Sequence, residues 1–170
     1  MKNYKTLLIL INLAALLVFF NFSWVKKEDI IAKGDLILLE LAPTDPRSLM
    51  QGDYMTLRYA IARDMNTETC PKRGFCVIKL DSVGTHKNGI AKMLRTQTAK
   101  TPLGANEHLI AYTVNNRDFN IGAESFFFQE GQSEKFDAAK YGALRIDADG
   151  NSVLVGLYDG ARKAISVDGK

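Results

Sequence analysis

Cys70 and Cys76 are the only two cysteines of the chain, with Pro71-Lys72-Arg73-Gly74-Phe75 between them. Pro and Gly let so short a segment turn back on itself, and the natural use of such a pair outside the cytoplasm is a disulfide-closed loop. The other reading of the same residues is two unrelated thiols. Zinc fits less well, because neither His86 nor His108 stands at ligand spacing from the cysteines. Asp147, Asp149 and Asn151 alternate as calcium ligands do, but Gly150 falls two places early and no Glu closes the loop. No metal and no cofactor is expected from these patterns. A further group of charges, Asp45, Arg47, Asp53 and Arg58, gathers around one strand start. Such a group is either a salt-bridged turn or a recognition patch for a partner's loop.

The elements that must position these residues begin with an apolar run. Leu7 to Val25 is interrupted only by Asn12, Asn21 and Ser23, and about nineteen residues suffice to cross a ~30 Å hydrocarbon core as a helix. The exit Asn21-Phe22-Ser23-Trp24-Val25-Lys26-Lys27 lacks a small-x-small cleavage site, so the run reads as a retained anchor. No cysteine directly follows it, which removes the lipoprotein reading, and Trp24 with the two lysines suits an interfacial collar. Lys2, Lys5 and the α-amino group on one side face Lys26 and Lys27 on the other, a balance that leans toward a cytoplasmic N-terminus. Residues 1–25 are therefore read as the anchor, touching lipid through Leu7 to Val25, residues 26–33 as a charged connector, and residues 34–170 as one outer domain. About 140 residues bury a real core and need no second domain. The net charge is +3, with Lys and Arg scattered and no basic stripe, which argues against nucleic acid.

Within the outer domain, apolar runs of strand length recur between Gly, Pro, Asp and Asn punctuation, so the fold class is mainly β, a barrel-like or sandwich domain. Asp35 to Leu41 is nearly continuous in apolar residues, as expected of a strand buried on both faces. Tyr54 to Ala62 alternates, with Tyr54, Thr56 and Arg58 on one side and Met55, Leu57 and Tyr59 on the other. Phe75 to Asp81, Ile90 to Arg95, His108 to Val114 and Ser125 to Gln129 read as later strands, and Arg117 to Asn120 as a connection. One short helix is expected, capped by Ser133, with Phe136 and Ala139 inward and Gly142 at its C-terminal cap. Asp149-Gly150 then forms a hairpin turn between Ala143 to Asp147 and Ser152 to Tyr158. Period two along Phe126-Phe127-Phe128 turns Phe127 to the opposite face from its neighbours, where it becomes a candidate for a partner or for lipid headgroups.

The stretch Gly52-Asp53-Tyr54-Met55-Thr56-Leu57-Arg58-Tyr59 resembles the signature of the GDYXXLXY family of bacterial membrane-anchored proteins. Gly52, Asp53, Tyr54, Leu57 and Tyr59 stand at its defining positions, and further matches follow in Leu80-Asp81, Phe126 to Gly131, Ala139 to Gly142 and Leu154 to Asp159. The resemblance implies an inner-membrane anchor, a periplasmic β domain and the company of a polytopic membrane protein, and it assigns no reaction. Read as packing, Gly52-Asp53 is a turn, and Tyr54 and Tyr59 are half-buried strand residues.

A fainter resemblance is to type I signal peptidases, also N-terminally anchored with an outer β domain. It implies Thr44, eight residues before Gly52, as nucleophile and Lys72, directly before Arg73-Gly74, as general base. The departures are that Thr44-Asp45 replaces a Ser-Met pair and Arg47 a Pro. A Lys acts as base only where burial disfavours its charged form, and a neighbouring Asp45 works against that. The leading expectation is thus a non-enzymatic membrane-anchored binding protein that recognises another envelope protein around Asp45, Arg47, Asp53, Arg58 and Phe127; its rival is a hydrolase using Thr44 and Lys72.

Overall fold

The computed structural model of the chain describes residues 3–42, 54–63, 65, 70–81, 89–116, 118–129 and 131–166. The apolar run forms one helix, α1 (Asn3–Lys33), long and apolar enough to cross a membrane. Leu7 to Leu10, Phe19, Phe20, Phe22 and Trp24 all stand exposed along it, a large contiguous apolar surface. Residues 26–33, expected as a connector, continue the same helix. Lys33 Nζ meets Asp29 Oδ1 at 2.8 Å across one turn, which suits a helix and not a free linker. The helix stops at Gly34, whose N–H reaches Ile30 O at 2.8 Å. A Cβ there would lie 2.5 Å from Ile30 O and 2.7 Å from Ile146 O, so only Gly lets the helix foot come so close to the sheet.

Beyond the helix the protein is mainly β. The strands are β1 (Asp35–Glu40), β2 (Tyr54–Thr56), β3 (Arg73–Asp81), β4 (Gly89–Gln97), β5 (Glu107–Asn115), β6 (Asp118–Asn120), β7 (Ser125–Phe127), β8 (Ala139–Ile146) and β9 (Ser152–Asp159). Seven of them form a sheet in the order β6-β5-β3-β4-β1-β8-β9, and β2 pairs with β7. β1 runs parallel to β4, Ile37 opposite Gly89, and antiparallel to β8, Ile37 opposite Leu144. As its apolar run requires, Ile37, Leu38 and Leu39 are all fully buried.

The sheet curls until strands distant in its order meet. Ala111 N on β5 donates to Gly150 O in the β8–β9 turn at 2.8 Å, and Ser152 Oγ on β9 donates to Ile121 O at 3.1 Å. The Asp149-Gly150 hairpin expected from sequence is therefore also the point where the curl closes on itself. Gly150 has φ +85°, which Gly supplies without strain, and Asp147 Oδ1 accepts the N–H groups of Asp149 and Asn151 at 2.9 and 2.8 Å.

The main core gathers Ile37, Leu39, Cys76, Ile78, Ile110, Tyr112, Leu144 and Leu157 from the large sheet, with Met55 and Phe126 from the β2–β7 pair. A short helix, α2 (Ser133–Phe136), adds Phe136, which meets Phe126 edge-on at 5.0 Å between ring centroids.

Three expectations need correction. The strand expected over Tyr54 to Ala62 is regular only to Thr56: Leu57 N still donates to Glu124 O at 2.7 Å in register with the β2–β7 ladder, but Ala60–Ala62 tightens into a 3-10 turn. The helix expected from Ser133 to Gly142 ends at Phe136: Ala139 onward pairs with both β1 and β9, and those ladders outweigh local helical preference. Gln132, not Ser133, holds the N-cap position, and Gly142 is a buried strand residue. Asp118–Asn120, read as a connection, pairs with Thr113 to Asn115 as a short edge strand.

Candidate functional site

The signature segment lies at the end of β1 away from the helix, about 20 Å along by strand rise. Leu41 and Tyr59 form a bridge, and Ala42 N donates to Arg58 O at 2.7 Å, so residues 57–59 stay extended after β2 has ended. Alternation therefore persists: Leu57 and Tyr59 are 4% exposed, while Arg58 faces solvent.

Tyr59 is the keystone of this end. Its hydroxyl donates to Ala123 O at 2.6 Å, and the hydroxyl end of its ring comes close to the backbone of β8: a Cβ on Gly142 would sit 3.0 Å from Tyr59 Cε1 and 3.2 Å from its hydroxyl oxygen. The signature Tyr and the Gly of Ala139-Lys140-Tyr141-Gly142, two separate matches in the sequence, are thus two halves of one contact. Burial, with the Glu124 carboxylate nearby, pushes the Tyr59 phenol far above its usual range. It stays a neutral hydrogen-bond donor.

On the solvent side of this segment opens a cleft of about 510 Å³, lined by Thr56, Arg58 and Arg63 from one segment and by Asn115, Asn116, Asp118, Phe119 and Asn120 from around the β5–β6 turn. Asn116 turns the chain with φ +49°, a conformation Asn tolerates better than most residues. Leu57, Tyr59 and Phe119 contribute apolar floor, and Glu124 lies at one end with its carboxylate taken by the N–H of Ile121. Among the described residues no ion pair involves Arg58 or Arg63, both exposed. The cleft thus offers two guanidinium groups, the exposed Asp118 carboxylate and several amides over a partly apolar floor, a mixed-charge set suited to a polar loop and its peptide backbone.

The residues singled out in the sequence are distributed unequally around it. Arg58 is on its wall, and Leu57 and Tyr59 underlie it. Tyr54 pairs with Phe127 in the β2–β7 ladder, and Phe127 is 72% exposed, as period two demanded. Thr44, Asp45, Arg47, Gly52 and Asp53 lie outside the described residues. Lys72 is exposed at the start of β3, its carbonyl accepting Val114 N at 2.8 Å. Sequence reasoning missed Arg63, Asn115, Asn116, Asp118, Asn120 and Glu124; the one available signal was the polar run Asn115-Asn116-Arg117-Asp118 after a long apolar strand.

The expected Cys70–Cys76 disulfide is not supported: both cysteines are free in the structure. Cys76 is a core residue of β3, with Sγ against Met93 Sδ at 3.8 Å, whereas Cys70 stands before the strand and is half-buried. Burial, with Cys70 adding to it, pushes the Cys76 thiol up to about 12, so it is an inert packed group. Asp147, Asp149 and Asn151 serve the hairpin turn and an ion pair with Lys100, and no metal-binding cluster occurs among the described residues.

A family model described as GDYXXLXY protein matches residues 16–157, which takes in the second half of the apolar helix, its junction with the sheet and nearly all of the β domain. No curated protein and no solved structure matches the chain.

Proposed function

The chain belongs to the GDYXXLXY protein family, and we propose that it is a single-pass protein of the bacterial inner membrane whose periplasmic β domain binds another envelope protein, a polytopic membrane protein in the first place, through the cleft beside its signature. The observation that carries this reading is the division of labour along the signature segment. Leu57 and Tyr59 are consumed by the core, and Arg58 is turned outward to face Arg63 and the β5–β6 turn without an ion-pair partner among the described residues. Exposed arginines set beside the Asp118 carboxylate and several amides over apolar floor are what an interface anchors to. The hydrolase alternative gains no support from the exposed Lys72.

The test is a photo-crosslinking amino acid at Asn116 in the full-length membrane protein, in cells, with and without Arg58→Glu and Arg63→Glu. The expected result is an adduct with a membrane protein that the double charge reversal abolishes while the domain's melting temperature holds. An adduct indifferent to charge reversal, or none at all, overturns the proposal.

A further inference from the structure

The foot of α1 meets the β8–β9 turn along two clefts of different charge. One, about 520 Å³, is lined by Lys26 and Lys33 and by three carboxylates, Asp29, Asp35 and Asp147. Lys33 is already paired with Asp29 at 2.8 Å. An anion entering there meets net negative charge. The other, about 270 Å³, is lined by Lys26 and Lys27, by the β8–β9 turn at Asn151, and by the apolar side chains of Ile30, Ile121 and Val153, with no carboxylate among its lining residues. Its polar side chains other than the lysines are already engaged: Asn151 Nδ2 donates to Asp147 Oδ2 at 2.7 Å, and Ser152 Oγ to Ile121 O at 3.1 Å. The adjacent Asp149 is paired with Lys100 at 2.5 Å and also lies within electrostatic reach of Lys26, but no ion pair among the described residues takes up Lys26 or Lys27.

Depth completes the case. Lys26 and Lys27 directly follow the exposed apolar Trp24 and Val25, so a helix that spans the bilayer delivers them at headgroup level, with the turn against their flank. We propose that the smaller cleft binds the phosphate of an anionic phospholipid, with Lys26 and Lys27 as cationic partners and Ile30, Ile121 and Val153 against the lipid's glycerol and first acyl carbons. One lipid then ties the helix foot to the β8–β9 turn and fixes how the β domain stands on the membrane. This site is separate from the signature cleft, and it rests only on α1 spanning a bilayer.

Trp24 is the only tryptophan of the chain and stands two residues before Lys26, which makes it the reporter. The full-length protein is reconstituted in phosphatidylcholine vesicles containing brominated phosphatidylglycerol or brominated phosphatidylcholine, and quenching of Trp24 gives their relative affinities. The brominated anionic lipid is expected to be preferred, and Lys26→Gln with Lys27→Gln to cut that preference about tenfold. Lys2→Gln with Lys5→Gln, at the other end of the helix, is expected to leave it intact. Val153→Glu, which places a carboxylate on the sheet side of the cleft, is expected to cut it as well, whereas a plain collar of lysines would be indifferent to that change. Equal quenching by both lipids, or a preference that survives Lys26→Gln with Lys27→Gln, overturns the proposal. Displacement of the brominated anionic lipid by millimolar inorganic phosphate assigns the cleft to a free anion and overturns it too. Absence of quenching by either lipid overturns the membrane reading and this one together.

Discussion

The signature segment and the β4–β5 loop are both fixed to the same sheet, by opposite means. Leu57 and Tyr59 are held by burial, with one hydroxyl bond at 2.6 Å to a main-chain carbonyl. The loop is held by a surface clamp: Arg95 meets Glu107 through both guanidinium nitrogens, at 2.8 and 2.7 Å, and Glu107 also accepts Gly104 N at 2.8 Å. The first arrangement derives its strength from excluding water and is insensitive to pH and salt; the second works in water and is sensitive to both. The difference teaches what the family signature marks here. Its described side chains build the fold, and the groups available to a partner stand beside them.

The largest expected effect tests that burial. Leu57→Ala removes a core side chain and is expected to cost about 2–4 kcal/mol in denaturant melts, while Arg58→Ala, one residue on but facing solvent, is expected to cost under about 0.5 kcal/mol. Equal losses would mean that the alternation does not separate core from surface at this segment.

Next in size is Tyr59→Phe, which keeps the ring against Gly142 and removes only the hydroxyl that bonds Ala123 O. Leaving that carbonyl without its donor is expected to cost about 1–2 kcal/mol. A neutral result would assign Tyr59 to ring packing alone and shift the weight of this end onto Gly142.

The unequal legibility of the sequence has the same physical root as this comparison. β1, β3 and β5 announce themselves because a buried strand needs a sustained apolar or alternating run, and the Asp149-Gly150 turn because few residues tolerate its backbone. β6 was hidden because Asp118-Phe119-Asn120 carries turn residues and owes its strand state to Thr113 to Asn115 across the hairpin. The Ser133 helix ends earlier than its sequence suggests because nothing local to Ala139 records that β1 and β9 flank it. The signature cleft is assembled from three separated segments, so no spacing in the sequence could have grouped Arg63 with Asn116. Free Cys70 and Cys76 make the point from the other side: a spacing that permits a loop does not say that one of its ends will be committed to the core.

The smallest effect, and the sharpest test of the contrast, is the pH response of the clamp. The Arg95 guanidinium, with the Gly104 N–H next, holds the Glu107 carboxyl down at about 2, against about 4.3 for an unfolded Glu. A carboxyl that binds its proton less readily when folded stabilises the native state above the unfolded value, and that contribution fades as pH falls from there toward 2. Glu107→Gln keeps the shape and abolishes the charge. Its melting temperature is therefore expected to lie below that of the parent chain by a constant amount above about pH 5, with the gap narrowing under pH 4.5 and closing near pH 2. High salt should shrink the gap at neutral pH, because the clamp is exposed to counterions. The Leu57→Ala deficit, measured over the same range, should keep its size. A Glu107→Gln gap that persists unchanged at pH 2 would show that this loop, too, is held by packing and that the two regions do not differ in kind.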